Sequence, residues 1–514
     1  MPHSRSYNAT VDLVDRHLSQ GRGKKTAFID PTGTLTYAAL AENTNRFANL
    51  LTTYAIPRES RIALLMLDTI DYPPAFFGAI KAGVIPVLLN TLLTTEHYGY
   101  ILADSRATAL VVSAPLLDTI KPLLGQLPFL KHIFVSGGPT PPFALSLTDE
   151  LAHQRSTFTA ADTHPDETAF WLYSSGSTGM PKGTRHVHAS LMQTARLYGQ
   201  GILGIREHDI VYSAAKIFFA YGLGNALSFP LSVGATTILL PDRPTPEAVF
   251  RTLHTHQATI FCGVPTLYAA ILNHADATPA NCSQQLRLCT SAGEALPEDV
   301  GKAWHAKFGV HILDGIGSTE MLHIFLSNTP NDVNYGTSGR PVPGYDCRIV
   351  DEKGHDAADG EIGELLVRGP TAADGYWNQR EKSRSTFEGN WTRSGDKYIR
   401  DARGLYTYQG RTDDMFKVSG IWVSPFEVES ALISHPAVME AAVIPFDDGD
   451  GLIKPKAFVV LKPGHTHNAA LERDLQDHVK TKAGNWKYPR WIVVTDALPK
   501  TATGKIQRFK LRAT

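Results

Sequence analysis

Tyr173-Ser174-Ser175-Gly176-Ser177-Thr178-Gly179-Met180-Pro181-Lys182-Gly183 is the stretch that decides how this chain is read. It follows an apolar run, residues 169–173, that reads as a buried strand. Small residues after a strand let backbone N–H groups approach a polyphosphate closely. Hydroxyls add donors, and a lysine adds a point charge. The spacing is not that of a Walker A loop, where Lys directly follows Gly and precedes Ser or Thr; here Pro181 precedes Lys182. A flexible Ser/Gly turn is the plain alternative for the small residues alone, and the appended Pro-Lys-Gly argues against it.

Working outward, apolar runs at residues 61–67, 109–113, 132–135, 235–240 and 258–261 alternate with stretches of helical period at 37–54 and 247–256. That alternation predicts an α/β fold of layered, largely parallel sheets and helices. The character changes at Gly410-Arg411-Thr412-Asp413-Asp414, which is polar and turn-rich. Beyond it the pattern predicts a helix at 425–434, strands at 438–445 and 456–461, a helix at 470–482 and a strand at 491–494. The expected organisation is therefore a large domain over 1–410 and a small, mobile α+β domain over 411–514, with the hinge at 411–414.

Composition narrows the functional classes. The chain has 514 residues, enough for roughly two to four domains. Lys+Arg is 49 and Asp+Glu is 50, a formal net charge of −1, which gives no clustered positive field for nucleic acid or a membrane surface. Four cysteines (Cys262, Cys282, Cys289, Cys347) without CxxC spacing suggest neither a disulfide framework nor a zinc site. The most apolar long segment, residues 75–89, is interrupted by Lys81, Gly83 and Pro86 and is too short to span a bilayer. No charged stretch followed by an apolar one opens the chain, so the expectation is a cytoplasmic protein with no nucleic-acid or membrane partner.

The glycine-rich stretch resembles the phosphate-binding signature of the acyl-adenylate-forming superfamily, which includes acyl-CoA synthetases, adenylation domains and luciferases. Further motifs follow in that family's order. Ser291-Ala292-Gly293-Glu294-Ala295-Leu296-Pro297 resembles the adenine-side motif, and Gly317-Ser318-Thr319-Glu320 the Thr-Glu motif. Gly363-Glu364-Leu365 and Ser394-Gly395-Asp396 resemble later motifs, Gly410–Asp414 the hinge, and Pro499-Lys500-Thr501-Ala502-Thr503-Gly504-Lys505 the C-terminal lysine motif. More narrowly, the segments Ala214 to Asn225 and Asp314-Gly315-Ile316-Gly317 through Phe325 resemble the benzoate-CoA ligase branch, which includes enzymes for aminobenzoates and hydroxybenzoates.

The resemblance implies roles. A carboxylate is a poor electrophile; transfer to the α-phosphate of ATP gives an acyl-adenylate whose AMP can leave when a thiol attacks. That step gathers negative charge, so positioned cations and donors are the expected catalytic parts. By resemblance Lys505 bridges the carboxylate and the α-phosphate, Glu320 ligates Mg²⁺, and Thr319 donates to the α-phosphate. ATP is expected against Ser174, Ser175, Gly176, Ser177, Thr178, Gly179, Lys182, Ser291, Ala292, Gly293, Glu294, Asp314, Gly315, Ile316, Gly317 and Ser318. Asp396 and Arg411 are expected at the ribose. Residues alone would also allow a helix start at Thr319-Glu320 and a surface ion pair at Asp396–Arg411. Ile316 departs from the family's frequent aromatic residue at that place and offers the adenine only apolar contact. Asp413 is the implied pivot, and rotation about it is expected to bring Lys417 and Gly420 to the pantetheine arm of CoA.

Phe219, Ala220, Tyr221, Gly222, His323 and Ile324 are expected to line the acid. Aromatic, Ala and Gly residues suit a thin slot for a flat ring, and His323 is expected to donate to the carboxylate or to an ortho substituent. The expected function is an aryl-CoA ligase using ATP, Mg²⁺ and CoA on a benzoate or 2-aminobenzoate type of acid, as a monomer or homodimer. A stand-alone adenylation enzyme that loads a carrier protein shares the first step and is the alternative.

Overall fold

The computed structural model describes residues 6–174, 180–412, 414–418, 421–447, 453–484, 487–500 and 506–512. Helix Tyr37–Thr53 shows how sequence becomes element here: the Thr36 hydroxyl accepts from the Ala39 N–H at 3.2 Å. Tyr37, Leu40, Ala41, Thr44, Phe47 and Leu51 then recur at helical spacing and are buried. Gly78 of helix Tyr72–Lys81 lets the two helices cross closely, since a Cβ there would lie 2.7 Å from the Phe47 Cβ.

Among the described residues the strands form two large sheets and several smaller ones. The first large sheet runs Gly375–Tyr376, Lys182–Val187, Thr168–Ser174, Ile85–Leu88, Arg61–Leu65, Ala109–Ser113, His132–Ser136, Leu145–Ser146. The second includes Ile324–Ser327, Ile312–Gly317, Leu288–Ser291, Ile260–Gly263, Ile210–Ser213 and Thr236–Ile238, of which the last five are mutually parallel. One buried cluster runs from Ile62 and Phe170 of the first sheet through Phe47 and Phe76 of the helices to Phe28 and Leu313 of the second. Parallel strands covered on both faces read as continuous apolar runs, which is why Ala109–Ser113 was legible as a strand.

A third sheet, Asp346–Val350, Gly363–Arg368, Trp391–Arg400, Phe387–Glu388 and Tyr406–Arg411, follows. The chain then enters a smaller unit with its own core. Helix Pro425–Ile433 is capped by Ser424, whose hydroxyl accepts from Glu427 N–H at 3.1 Å. Val428, Leu432, Val443, Val459, Leu475 and Val479 pack its sheet and helices together, apart from the large cluster. Asp414 is held at this unit's start by Arg508 at 3.3 Å and Arg512 at 2.8 Å. Asp413, expected as the pivot, Gly420, expected at the pantetheine arm, and Lys505 lie outside the described residues, as do Ser175, Gly176, Ser177, Thr178 and Gly179. No helix among the described residues is long and apolar enough to cross a membrane.

Candidate active site

The second sheet aligns three of the motifs along one edge. Strands Ile210–Ser213, Leu288–Ser291 and Ile312–Gly317 point the same way, so the loops leaving Ser213, Ser291 and Gly317 emerge at one edge. Ligands of open α/β sheets bind outside such carboxyl ends. Ser291 and Asp314 stand opposite each other in register. Both are buried, and the Ser291 Oγ and the Asp314 Oδ1 have no partner among the described residues. Burial raises the Asp314 carboxyl well above the usual carboxylate range. Gly293 follows with φ +97°, the left-handed region that suits glycine.

The Thr-Glu segment is a turn, and no helix begins there. Ser318 Oγ accepts from the Met321 N–H at 3.2 Å, and Leu322 sits at φ +65°, a strained value for a leucine. The chain then returns as Ile324–Ser327 beside its own incoming strand. Gly317 permits this: a Cβ there would meet the His323 carbonyl oxygen at 2.5 Å. Ile316, Thr319 and Glu320 stay half-buried at the edge, Ile316 among apolar neighbours of the large core.

Glu320 is tied to the first sheet. Its carbonyl accepts from Ala373 N–H at 2.7 Å, and its Oε1 accepts from the Tyr376 hydroxyl at 2.8 Å. Lys182, first residue of the strand that returns beside Thr168–Ser174 in register with Ser174, lies with its Nζ 4.5 Å from the centre of the Tyr376 ring. The third sheet supplies the remaining pair. Asp396 and Arg411 are register partners, joined Nη1 to Oδ1 at 3.0 Å, and Arg411 also donates to the Ser394 carbonyl at 3.0 Å. Gly395, at φ +72°, leaves room for the guanidinium, which a Cβ would approach to 2.7 Å.

No group of three or more His, Cys, Asp or Glu that could hold a metal ion occurs among the described residues. One carboxylate at the sheet edge, Glu320, fits Mg²⁺, which takes one or two protein carboxylates and completes its shell with phosphates and water. It does not fit zinc, which takes three or four protein ligands.

The segment expected at the acid begins after Ser213. Asp68, buried to 3 % exposure, receives the Ile217 N–H on both oxygens at 3.3 Å and so fixes the loop that carries Phe218, Phe219 and Ala220. Tyr221 hydrogen-bonds Thr290 at 2.5 Å, and its carbonyl faces the Nε2 of His323 at 3.2 Å. His323 is enclosed by rings: Phe229 at 4.5 Å, Tyr198 at 5.3 Å and Tyr221 at 5.6 Å. Burial pushes its imidazole down to about 3, so it is neutral. A carbonyl can only accept, so Nε2 carries the hydrogen and Nδ1 is a bare acceptor with no partner among the described residues. The expectation of His323 as donor to a carboxylate is corrected on that ground: its one N–H is already engaged. Gly222 differs from expectation as well. A Cβ there would lie 2.0 Å from the Lys216 carbonyl oxygen, so the glycine serves the loop's own turn. Ile324 is buried in the core cluster next to this sector.

Lys417 lies on the short strand Phe416–Val418 of the small unit. Sequence reasoning missed Tyr376, Asp68 and Tyr198. The Gly375-Tyr376-Trp377 run was a visible signal for the first; nothing local marked the others.

A layered α/β body whose parallel strands bring Ser291 and the Thr-Glu turn to one edge, with Lys182 and Glu320 meeting at Tyr376 and a small α+β unit following in the chain, defines the adenylate-forming class of fold. The chain belongs to the AMP-binding enzyme family: the AMP-binding enzyme model matches residues 15–377, and the AMP-binding enzyme C-terminal domain model matches 427–505. It is 58 % identical to a benzoate–CoA ligase of Thauera aromatica, over 99 % of this chain and 96 % of that protein. The crystal structure of a benzoate CoA ligase from Burkholderia xenovorans LB400 matches with TM-score 0.92 and 51 % identity, covering 98 % of this chain and 100 % of the other. That of the anthranilate CoA ligase AuaEII in complex with anthranoyl-AMP matches with TM-score 0.96 and 46 % identity, covering 99 % and 97 %.

Proposed function

We propose that this protein is an aryl-CoA ligase: it converts an aromatic carboxylate and ATP to aryl-AMP and pyrophosphate, then transfers the acyl group to the thiol of CoA, releasing AMP. The observation that carries this is the shared segment from Asp314 to Ile324. Its first half lies on the nucleotide edge and its second half, at His323, enters the ring-lined sector. An acid seated at that sector and an ATP seated on that edge meet where Thr319 and Glu320 stand.

In this reading Lys182 and the loop before it receive the phosphates, Asp396 and Arg411 the ribose, and Ser291 to Glu294 with Asp314 to Ser318 the adenine side. Glu320 would hold Mg²⁺, which neutralises phosphate charge when bound. Thr319 donates to the α-phosphate, and Lys505 brings a positive charge to the oxygens of the attacking carboxylate and the α-phosphate. The domain boundary at 411–414, the pivot at Asp413 and the approach of Lys417 and Gly420 to the pantetheine arm belong to the same proposal. Benzoate-type acids are the proposed substrates. The ring cage about His323 suits a flat apolar ring, and its Nδ1 acceptor suits an amino or hydroxyl hydrogen on that ring.

The test is pyrophosphate release across benzoate, 2-aminobenzoate, 4-hydroxybenzoate and short fatty acids, followed by thioester formation with free CoA or a holo carrier protein. Release with ring acids and thioester formation with CoA are expected. Absence of any AMP ester with the ring acids overturns the proposal, and a thioester formed only on the carrier replaces it with the carrier-loading alternative.

A further inference from the structure

We propose that Tyr376 is a positioning residue that couples the phosphate-side cation to the metal-side carboxylate, so that Lys182 and Glu320 hold one geometry through a single side chain. This rests on the roles given above to those two residues. The phenol stands between the two large sheets. Its strand, Gly375–Tyr376, pairs with Lys182–Val187 of the first sheet, with Tyr376 opposite Thr184. Its hydroxyl reaches Glu320 Oε1, on the turn leaving the second sheet, at 2.8 Å, while Lys182 Nζ lies 4.5 Å from its ring centre.

The ring has little freedom to be elsewhere. Tyr376 is 5 % exposed, and its N–H donates to Ser383 Oγ at 3.0 Å. The same segment straps the backbone of the turn: Ala373 N–H donates to the Glu320 carbonyl at 2.7 Å, and the Thr371 hydroxyl donates to the Met321 carbonyl at 2.7 Å. One side chain therefore makes two different contacts: a hydrogen bond that fixes which way the carboxylate faces, and an aromatic face that holds an ammonium.

The two contacts separate by mutation. ATP binding is measured by calorimetry without acid or CoA, in the presence and absence of Mg²⁺, so that the readout is independent of turnover. Tyr376→Phe keeps the ring and removes the hydroxyl. It is expected to leave the metal-free ATP Kd within about twofold and to shrink the Mg²⁺-dependent gain in affinity about tenfold, the usual effect of losing a partner that orients a metal ligand. Tyr376→Leu removes the ring too and is expected to weaken metal-free ATP binding as well, by about threefold or more. An unchanged Mg²⁺ gain in Tyr376→Phe overturns the proposal. So does equal weakening of metal-free binding by both variants, which would mean general loosening of the edge. Glu320→Gln is the control: if it keeps the full Mg²⁺ gain, the metal role of Glu320 fails and takes the proposal with it. If it loses the gain while Tyr376→Phe keeps it, the proposal fails alone.

Discussion

Asp68→Asn isolates the cost of a buried charge behind the acyl loop. Burial raises the Asp68 carboxyl from 3.8 to about 6, against the opposing pull of Lys216 and of the Ile217 N–H. Tyr72 and Tyr212 are the other titratable groups facing it, and both remain neutral because burial raises them too. Since the folded protein binds this proton more tightly than the unfolded chain, Asp68 favours the folded state fully below pH 3.8. That contribution is lost as pH rises through about 6. The interval between the two values corresponds to roughly 3 kcal/mol at pH 7.5, and to about half a kcal/mol at pH 4. Asparagine fills the same space and keeps an oxygen for Ile217 N–H but has no charge to desolvate. The stability difference between Asp68→Asn and the parent is therefore expected to move in the variant's favour by about 2 to 3 kcal/mol from pH 4 to pH 7.5. Urea unfolding followed by near- and far-ultraviolet circular dichroism measures it, with agreement of the two signals as the check on two-state behaviour. A difference that is the same at both pH values would refute the reasoning, and with it the view that Asp68 is ionised out of contact with water.

Lys505→Ala is expected to slow aryl-AMP formation about 10²-fold or more while sparing thioester formation from preformed aryl-AMP; equal losses in stopped-flow assays of both half-reactions would remove its role. Asp396→Asn is expected to raise the KM for ATP about tenfold, through loss of a charged acceptor, with the KM for the acid unchanged; steady-state kinetics with each substrate varied in turn decides it. Gly222→Ala drives a Cβ against the Lys216 carbonyl oxygen, at 2.0 Å before any relaxation, and is expected to cost about 1–3 kcal/mol and to raise the KM for the acid more than that for ATP. Thermal unfolding together with the two KM values tests it, and an acid KM equal to the parent's would place the glycine outside the acyl wall.

Most of the architecture was legible because it rests on local physics. Buried parallel strands leave apolar runs, and the capped amphipathic helix Tyr37–Thr53 differs from the reading at 37–54 by one residue. Pro425–Ile433, Val438–Asp447 and Trp491–Val494 of the small unit likewise fall where the pattern placed them. The site was legible only in its linear parts. That Lys182 and Glu320 share a tyrosine is a contact through space among three distant segments, and no spacing encodes it. The upward shift of the Asp314 carboxyl and the neutral imidazole of His323 depend on how completely the fold removes water from each, which residue type does not reveal. Gly222 looked like room left for a ligand, whereas the fold uses that room for Lys216.

The turn from Gly317 to Ile324 has a consequence for how substrate choice can drift. In the proposed function the acid-side residue His323 is spliced onto the support of the nucleotide, with strained Leu322 between them, so a change made there would disturb both halves of the chemistry at once. The segment Phe218 to Tyr221 follows a different strand, Ile210–Ser213, and is held by Asp68 at its start and by Thr290 and His323 at Tyr221. If these segments line the acid as proposed, a library meant to broaden acid scope while keeping ATP affinity is best confined to Phe218, Phe219 and Ala220, ahead of the contacts made by Tyr221.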